Sequence, residues 1–135
     1  YQAPSQPAPY QAPAPTPQYQ APAPAPLPMQ TSATTLAANT DVEYHLGMLR
    51  NQDERVRTDS VMQLGRSKST RAVDPLAATL AGDQSPTVRE AAARALGLLG
   101  SPQALPALQH AAQADADRDV RRSAQFAAEV IQNRN

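Results

Sequence analysis

The chain has 135 residues, and its 12 basic and 12 acidic side chains give a formal net charge of zero. This balance lacks the positive field expected of a protein that binds nucleic acid or an anionic membrane, so neither partner is predicted. The absence of cysteine excludes disulfides and thiolate chemistry, and no apolar run reaches the ~20 residues of a membrane-spanning helix, so membrane insertion is not predicted.

Residues 1–40 form a low-complexity tail of Pro, Ala and Gln. Ten of the 14 prolines lie in it, and it carries no charged side chain. Proline removes backbone donors and fixes φ, so the tail is predicted to be disordered or to form polyproline II. Tyr1, Tyr10 and Tyr19 recur every nine residues, which would place them along one edge of a polyproline rod. Two interpretations stay open: a semi-rigid spacer, or a docking strip anchored by these tyrosines.

Residues 41–135 are predicted to form an all-α domain. Thr40 and Glu43 have the spacing of a capping box at its start, and no stretch alternates as a half-buried strand would. Ser85 and Ser101 are each followed by proline, a pattern typical of a capping serine before the first helical position. Apolar periodicity and cap signals together predict six helices, at about 41–50, 53–66, 70–81, 86–99, 102–114 and 117–133.

An internal repeat of 32 residues organises this domain. The recurring positions are Val56-Arg57, Val88-Arg89 and Val120-Arg121, then Leu64-Gly65 and Leu96-Gly97, then Asn51, Asp83 and Asp115. A two-helix unit of this size cannot bury its apolar face alone, so about three pairs are expected to stack into a right-handed α-solenoid. Gly97 is expected to end its helix in the left-handed conformation. The larger buried area is expected from Leu96, Leu98, Leu99, Leu105 and Leu108.

The unit SPTVREAAARALGLLGSPQALPALQHAAQAD resembles the short HEAT-like repeat of the phycobilisome-lyase type. That repeat has a Val-Arg pair, an Ala-Leu-Gly end to its first helix and an Ala-x-Pro-x-Leu second helix, and the resemblance covers roughly residues 41–133. It implies a ladder of acidic side chains and arginines between adjacent repeats. The ladder maps onto Asp83, Asp115, Arg57, Arg89 and Arg121, with Asn51 in place of the acid in the first unit.

An enzyme is not predicted, and neither is a cofactor or metal. Neither His45 nor His110 is followed at helical spacing, such as four residues on, by a His, Glu or Asp ligand. Asp115, Asp117 and Asp119 imitate the start of a calcium loop without its glycine and terminal glutamate, so they are interpreted as capping or solvated residues. Because the resemblance extends to bilin lyases, a protein related to these enzymes or accessory to another enzyme remains an alternative.

The sequence favours a binding or scaffold module for a protein or peptide partner. Solenoids offer a concave face, and the second helix of each unit is expected to line it. Position matching gives two rows there, His45, Ala77 and Gln109, then Leu49, Ala81 and Gln113. The last helix is expected to add an apolar strip of Phe126, Val130 and Ile131. The candidate partner-binding residues are therefore His45, Leu49, Gln109, Gln113, Phe126 and Val130. The alternative is a self-assembling structural subunit in which the tail of one copy docks on another.

Two features favour an exported location, in the periplasm or at a bacterial cell surface, over the cytoplasm. Ala-Pro-rich spacers are common in those places, and eleven arginines against one lysine are typical of a GC-rich bacterial genome. The sequence starts at Tyr1 and not at methionine, which fits the removal of an export signal and fits an arbitrary boundary equally well.

Overall fold

A computed structural model describes the backbone of residues 4, 12–14 and 30–135, with side chains at 4, 12–14 and 39–135. This part of the chain contains six α-helices and no strand, which agrees with the predicted all-α repeat fold. The helices are α1 (Gln30–Met48), α2 (Glu54–Arg66), α3 (Val73–Gly82), α4 (Pro86–Leu99), α5 (Leu105–Ala114) and α6 (Arg118–Arg134). Single 3₁₀ turns, Thr70–Ala72 and Pro102–Ala104, lead into α3 and α5.

The first helix starts well before the predicted residue 41. Because α1 begins at Gln30, Thr40 lies inside the helix, and the capping box predicted from Thr40 and Glu43 is wrong. Residues 30–40 contain no proline and three alanines, so nothing stops the helix from extending back toward Pro28. Glu43 instead forms an ion pair with Arg71 in the turn before α3. The polyproline prediction and the tyrosines Tyr1, Tyr10 and Tyr19 lie outside the described residues.

Side-chain caps begin α2, α4 and α6, but not α3 and α5. The capping residues are Asp53, Ser85 and Asp117. Ser85 accepts a hydrogen bond from the backbone N–H of Val88 at 3.4 Å, as its position before a proline predicted. Ser101 makes no such bond, because the chain enters α5 through a 3₁₀ turn. The cap predicted at Ser101 is therefore wrong.

The six helices lie in two layers. One layer contains α2, α4 and α6, the other contains α1, α3 and α5, and each odd-numbered helix packs on the even-numbered helix that follows it. α2 packs on α4, and α4 on α6, along extensive surfaces, whereas α3 and α5 share only a short contact. An array curves toward the layer whose helices are closer together, so α2, α4 and α6 form the concave, inner layer. The predicted concave rows lie on the outer layer, and that assignment is wrong.

Two glycines allow the inner helices to approach closely. A Cβ atom on Gly65 would lie 2.8 Å from the Cα of Ala95, and one on Gly97 would lie 3.0 Å from the Cβ of Ala127. Both glycines are buried within their helices, so the left-handed helix end predicted at Gly97 is wrong. The left-handed residue is Gly100, the C-cap of α4, with φ of 68°.

A continuous core of Leu, Val, Ile and Ala side chains fills the space between the layers. Leu96 and Leu108 are fully buried in it, as predicted. Leu98 was also expected there but is 54% exposed, because it lies roughly half a helical turn from Leu96 and so on the opposite side of α4. Ile131, predicted to lie in an uncovered strip, is fully buried.

Candidate functional site

Three rows of side chains cross the inner layer at the 32-residue repeat. The rows are Thr58, Glu90 and Arg122, then Met62, Arg94 and Phe126, then Arg66, Leu98 and Val130. Each row takes one residue from α2, one from α4 and one from α6, and none of the nine is buried. Unlike the core positions, these positions change chemistry from unit to unit. α2 and α4 each contribute one large apolar group, Met62 and Leu98, and α6 contributes two, Phe126 and Val130.

A groove of about 770 Å³ lies between α4 and α6 and reaches Met62 of α2. Gly97 and Ala127, where the two helices touch, lie along it. Its apolar part is formed by Leu98, Phe126 and Val130, and it is called the α4–α6 groove below. Phe126 is 68% exposed and Leu98 54% exposed, although both are large apolar side chains. Adjacent exposed apolar groups in a concave surface are characteristic of a binding site.

Charged side chains of both signs surround the apolar part of the groove. They are Glu90, Arg94, Asp119, Arg122 and Arg134. The carboxylate of Glu90 accepts hydrogen bonds from Arg94 at 2.5 Å and from the Ser123 hydroxyl at 3.3 Å. Part of the charge is thus neutralised within the groove itself. A ligand that is apolar or aromatic and carries little net charge suits this arrangement.

The sequence-predicted binding residues divide between the two layers. Phe126 and Val130 lie in the α4–α6 groove. Gln109 and Gln113 are exposed, as expected for surface residues, but they stand on α5 in the outer layer. The sequence interpretation missed Leu98 because it assigned that residue to the core. Its place at the repeat interval between Arg66 and Val130 is the signal that could have found it.

His45 and Leu49 lie at the α1 end of the array and are part of its packing. The Nδ1 atom of His45 is 3.4 Å from the hydroxyl oxygen of Ser60 in α2. Leu49 directly follows α1 and packs, partly buried, against the core. The structure therefore does not bring these two residues together with the α4–α6 groove or with Gln109 and Gln113.

Arginine–aspartate pairs join successive units at the positions that the family resemblance implied. Arg57 donates from Nε to Asp83 at 2.9 Å, and Arg89 donates from Nε to Asp115 at 2.9 Å. A second bond from Nη2, at 3.1 Å and 3.0 Å respectively, makes each pair bidentate. All three ladder arginines also donate from Nη1 to two backbone carbonyls of the preceding turn, which for Arg121 are those of Asp115 and Ala116. The aspartate side chains are only 8% exposed, so each pair fixes one unit against the next.

In the first unit, Asn51 makes one of the two kinds of side-chain contact that Asp83 and Asp115 make. Its side-chain oxygen accepts a hydrogen bond from the backbone N–H of Asp53, two residues on, at 2.8 Å. Asp83 and Asp115 each accept the equivalent bond at 2.9 Å. The turn geometry is therefore common to all three positions, whereas the carboxylates at Asp83 and Asp115 add the arginine contact.

Ladder contacts shift the pKa values of Arg57, Arg89 and Asp115. The hydrogen bond to Asp115 raises the pKa of Arg89, although burial of the guanidinium opposes this. Burial by itself raises the pKa of Asp115, but hydrogen bonds from Arg89 and from the N–H of Asp117 outweigh it, together with nearby positive charge. The pKa of Asp115 therefore lies below its ordinary value of 3.8, and the pair stays charged at neutral pH.

Two further properties bear on the chemistry of the described residues. Within them, no group of three His, Asp or Glu side chains is arranged to hold a metal ion. None of their helices combines the length and the apolar character needed to cross a membrane. The feature that can support a function is thus the α4–α6 groove, whose helices are held in place by the ladder pairs.

Comparison with protein families gives a match to a helical repeat. The family model described as HEAT repeats matches residues 45–129, well over half of the chain. The matched residues include Leu98 and Phe126 of the groove, and they also include both complete arginine–aspartate pairs of the ladder. The match is to HEAT repeats in general and does not single out the phycobilisome-lyase type. A comparison with curated proteins found no match.

Proposed function

Because the chain belongs to the HEAT repeat family, we propose that it is a non-catalytic interaction or scaffold module that binds a protein or peptide partner in the α4–α6 groove. Helical solenoids commonly bind other proteins on their concave surfaces. The observation that carries the proposal is the exposed pair Leu98 and Phe126, one from each of two adjacent inner helices. No catalytic or cofactor role is included in it.

The energetics of the exposed pair support a binding role. Leaving a Leu or Phe side chain largely in water forgoes about 1.5 to 3 kcal/mol that full burial would supply. A partner that covers Leu98 and Phe126 recovers part of this free energy. The rows show that these positions tolerate polar residues, since Arg66 and Arg94 occupy equivalent places. The fold of the repeat therefore does not require apolar residues at the positions of Leu98 and Phe126.

The rigid frame adds to the affinity that the groove can offer. The ladder pairs and the close packing of α2, α4 and α6 fix the distance between Leu98 and Phe126 before any ligand arrives. A preformed site avoids the ordering cost of a flexible one, so more of the contact free energy appears as affinity. Binding in the groove should therefore leave the helices in place.

Affinity capture with matched variants tests this proposal. The full chain serves as bait in an extract of its own organism, beside a groove variant with Leu98→Ser and Phe126→Ser. The control is an outer-layer variant with Gln109→Glu and Gln113→Glu. We expect the groove variant to capture at least about tenfold less partner than the parent, because central contacts of an interface supply most of its binding free energy. The outer-layer variant should capture as much partner as the parent.

Circular dichroism of both variants is needed to show that helicity is unchanged, as expected for exposed positions. The reverse result, with capture lost only in the outer-layer variant, would place the binding face on α5, where the sequence rows put Gln109 and Gln113. Equal capture by all three proteins would rule out both faces.

A further inference from the structure

We propose that the Tyr19 segment of the chain's own tail, residues 17–22, occupies the α4–α6 groove, so that an outside partner must displace it. This inference rests on the proposed binding role of the groove and names its resident ligand. The segment has the sequence PQYQAP and lies outside the described residues.

The chemistry of this segment matches that of the groove. The groove has an apolar centre and a rim whose charge is partly neutralised by the Glu90–Arg94 pair. The tail provides an uncharged stretch with prolines and an aromatic ring, whereas every charged residue of the chain lies from Asp41 onward. Proline-rich segments dock in grooves lined by aromatic side chains, and Phe126 is such a side chain. A tyrosine ring can also stack on the guanidinium groups at the rim.

The spacing of the two partners also agrees. Packed helices lie about 8 to 10 Å apart, so the rows of the inner layer repeat at that interval from α4 to α6. A polyproline II segment presents the same edge every three residues, or about 9.3 Å. Tyr19 and Pro22 are three residues apart and therefore share an edge. Pro22, which is nearer to α1 along the chain, can contact the α4 side of the groove while Tyr19 contacts the α6 side.

The tail is attached at the correct end of the array. α1 runs antiparallel to α2, because His45 lies near Ser60 whereas Asn39 lines a cavity with Ser67, further along. The start of α1 therefore lies beyond the C-terminal end of α2. Leu98 and Val130 stand in the C-terminal parts of α4 and α6, on the same side of the array.

The connection is also long enough. Tyr19 and Pro22 stand eleven and eight positions before Gln30, where α1 begins, so a polyproline II connection would reach about 34 Å and about 25 Å from it. Two helix spacings, about 20 Å, separate α1 from α4, and three, about 30 Å, separate it from α6. A tether of this length gives an effective concentration in the millimolar range. At micromolar protein the chain's own tail is therefore favoured over the tail of a second copy.

A spin label on the tail tests the proposal in the full chain. The protein has no cysteine, so Gln18→Cys provides a single attachment point beside Tyr19. We expect the label to broaden the amide resonances of Leu98, Phe126 and Val130 more than those of Gln109 and Gln113. In an equimolar mixture of ¹⁵N-labelled chains without the spin label and unlabelled chains with it, these resonances should stay sharp.

Matched substitutions in the tail decide whether the tyrosines matter. In the spin-labelled protein, Tyr1→Ser, Tyr10→Ser and Tyr19→Ser together should reduce the groove broadening to the level of Gln109 and Gln113. The control replaces the glutamine that follows each tyrosine, as Gln2→Ser, Gln11→Ser and Gln20→Ser, and should leave the broadening in place. The two variants change equal numbers of residues at the same nine-residue spacing.

Each other outcome overturns the proposal. Broadening in the mixed sample would show that the tail belongs to a second copy and would favour self-assembly. Broadening that ignores the tyrosine substitutions would make the tail a spacer. Neither result affects the proposed function, which fails only if Leu98→Ser with Phe126→Ser leaves partner capture intact.

Discussion

The inner and outer layers contain three helices each, yet their helices approach one another differently. In the inner layer, Gly65 faces Ala95 and Gly97 faces Ala127, so the backbones of neighbouring helices almost touch. In the outer layer, Gly82 has no atom within 4 Å of the place where a Cβ would stand. Small residues at the inner contacts therefore let these helices approach more closely than α3 and α5 do, and the array is concave on the side of the closer helices.

The two layers also differ in how their helices begin. α2, α4 and α6 start with a side-chain cap, whereas α3 and α5 start through 3₁₀ turns without one. The inner helices thus have their first amides satisfied locally. Three substitution pairs test this comparison, and each matches an inner-layer position or its ladder to an outer-layer position.

The largest difference is expected between Gly65→Val and Gly82→Val. A side chain at Gly65 meets the backbone of Ala95 at 2.8 Å, so α2 and α4 must separate. We expect the free energy of unfolding to fall by about 3 kcal/mol, as for severe overpacking of a core. Gly82→Val enters open space and should change it by no more than about 0.5 kcal/mol. Urea unfolding measures both, and equal losses would contradict the tighter packing of the inner layer.

The second comparison concerns the ladder, which joins α4 to the turn after α5. Asp115→Asn removes the carboxylate that Arg89 holds and should lower the free energy of unfolding at neutral pH by about 2 kcal/mol. Asp74→Asn, at an exposed position on α3, should change it by less than about 0.5 kcal/mol. Urea unfolding at pH 7 provides the measurement.

The pH dependence of that difference follows from the lowered pKa of Asp115. A carboxyl group whose pKa is depressed by folding stabilises the protein fully above its unfolded pKa, with an ordinary value of 3.8. This contribution is lost as pH falls from there through the folded pKa. The difference in free energy of unfolding between the parent and Asp115→Asn should therefore stay constant from pH 7 to about pH 5 and decrease below pH 3.8. A difference that persists in strong acid would indicate that the carboxylate charge contributes little to stability.

The smallest effect is expected at the two Ser-Pro sequences. Ser85→Ala removes the side chain that accepts from the N–H of Val88 at the start of α4, and should cost about 1 kcal/mol. Ser101→Ala removes no side-chain cap and should change the free energy of unfolding by only a few tenths of a kcal/mol. Thermal unfolding of the two variants, measured side by side, is the check. A larger loss at Ser101 would contradict the difference between capped and uncapped helix starts.

The predicted helices and the observed ones agree best where several local signals coincide. α4 was predicted at 86–99 and spans Pro86–Leu99, because a capping serine, a proline and the apolar repeat all mark it. At α1 one signal was misleading: Thr40 and Glu43 have the capping spacing, but the helix continues through them. For the candidate site, Phe126 and Val130 were named from the sequence, whereas Leu98 was not. A run of leucines at the end of α4 does not reveal which of them faces outward until the helix has neighbours.

The sequence by itself determined the helical repeat and most helix limits, because these depend on spacing within one unit and on its recurrence after 32 residues. The residues of the ladder followed from the resemblance to HEAT-like repeats. Only the tertiary structure decided which layer is concave, and with it the separation of Gln109 and Gln113 from the α4–α6 groove. It also gave Gly97 its function as a contact point between helices, where the local pattern suggested a helix end. The physical reason is that curvature arises from small differences in the distance between helices. Those distances depend on pairs such as Gly97 and Ala127, which are 30 residues apart and meet only when the units stack.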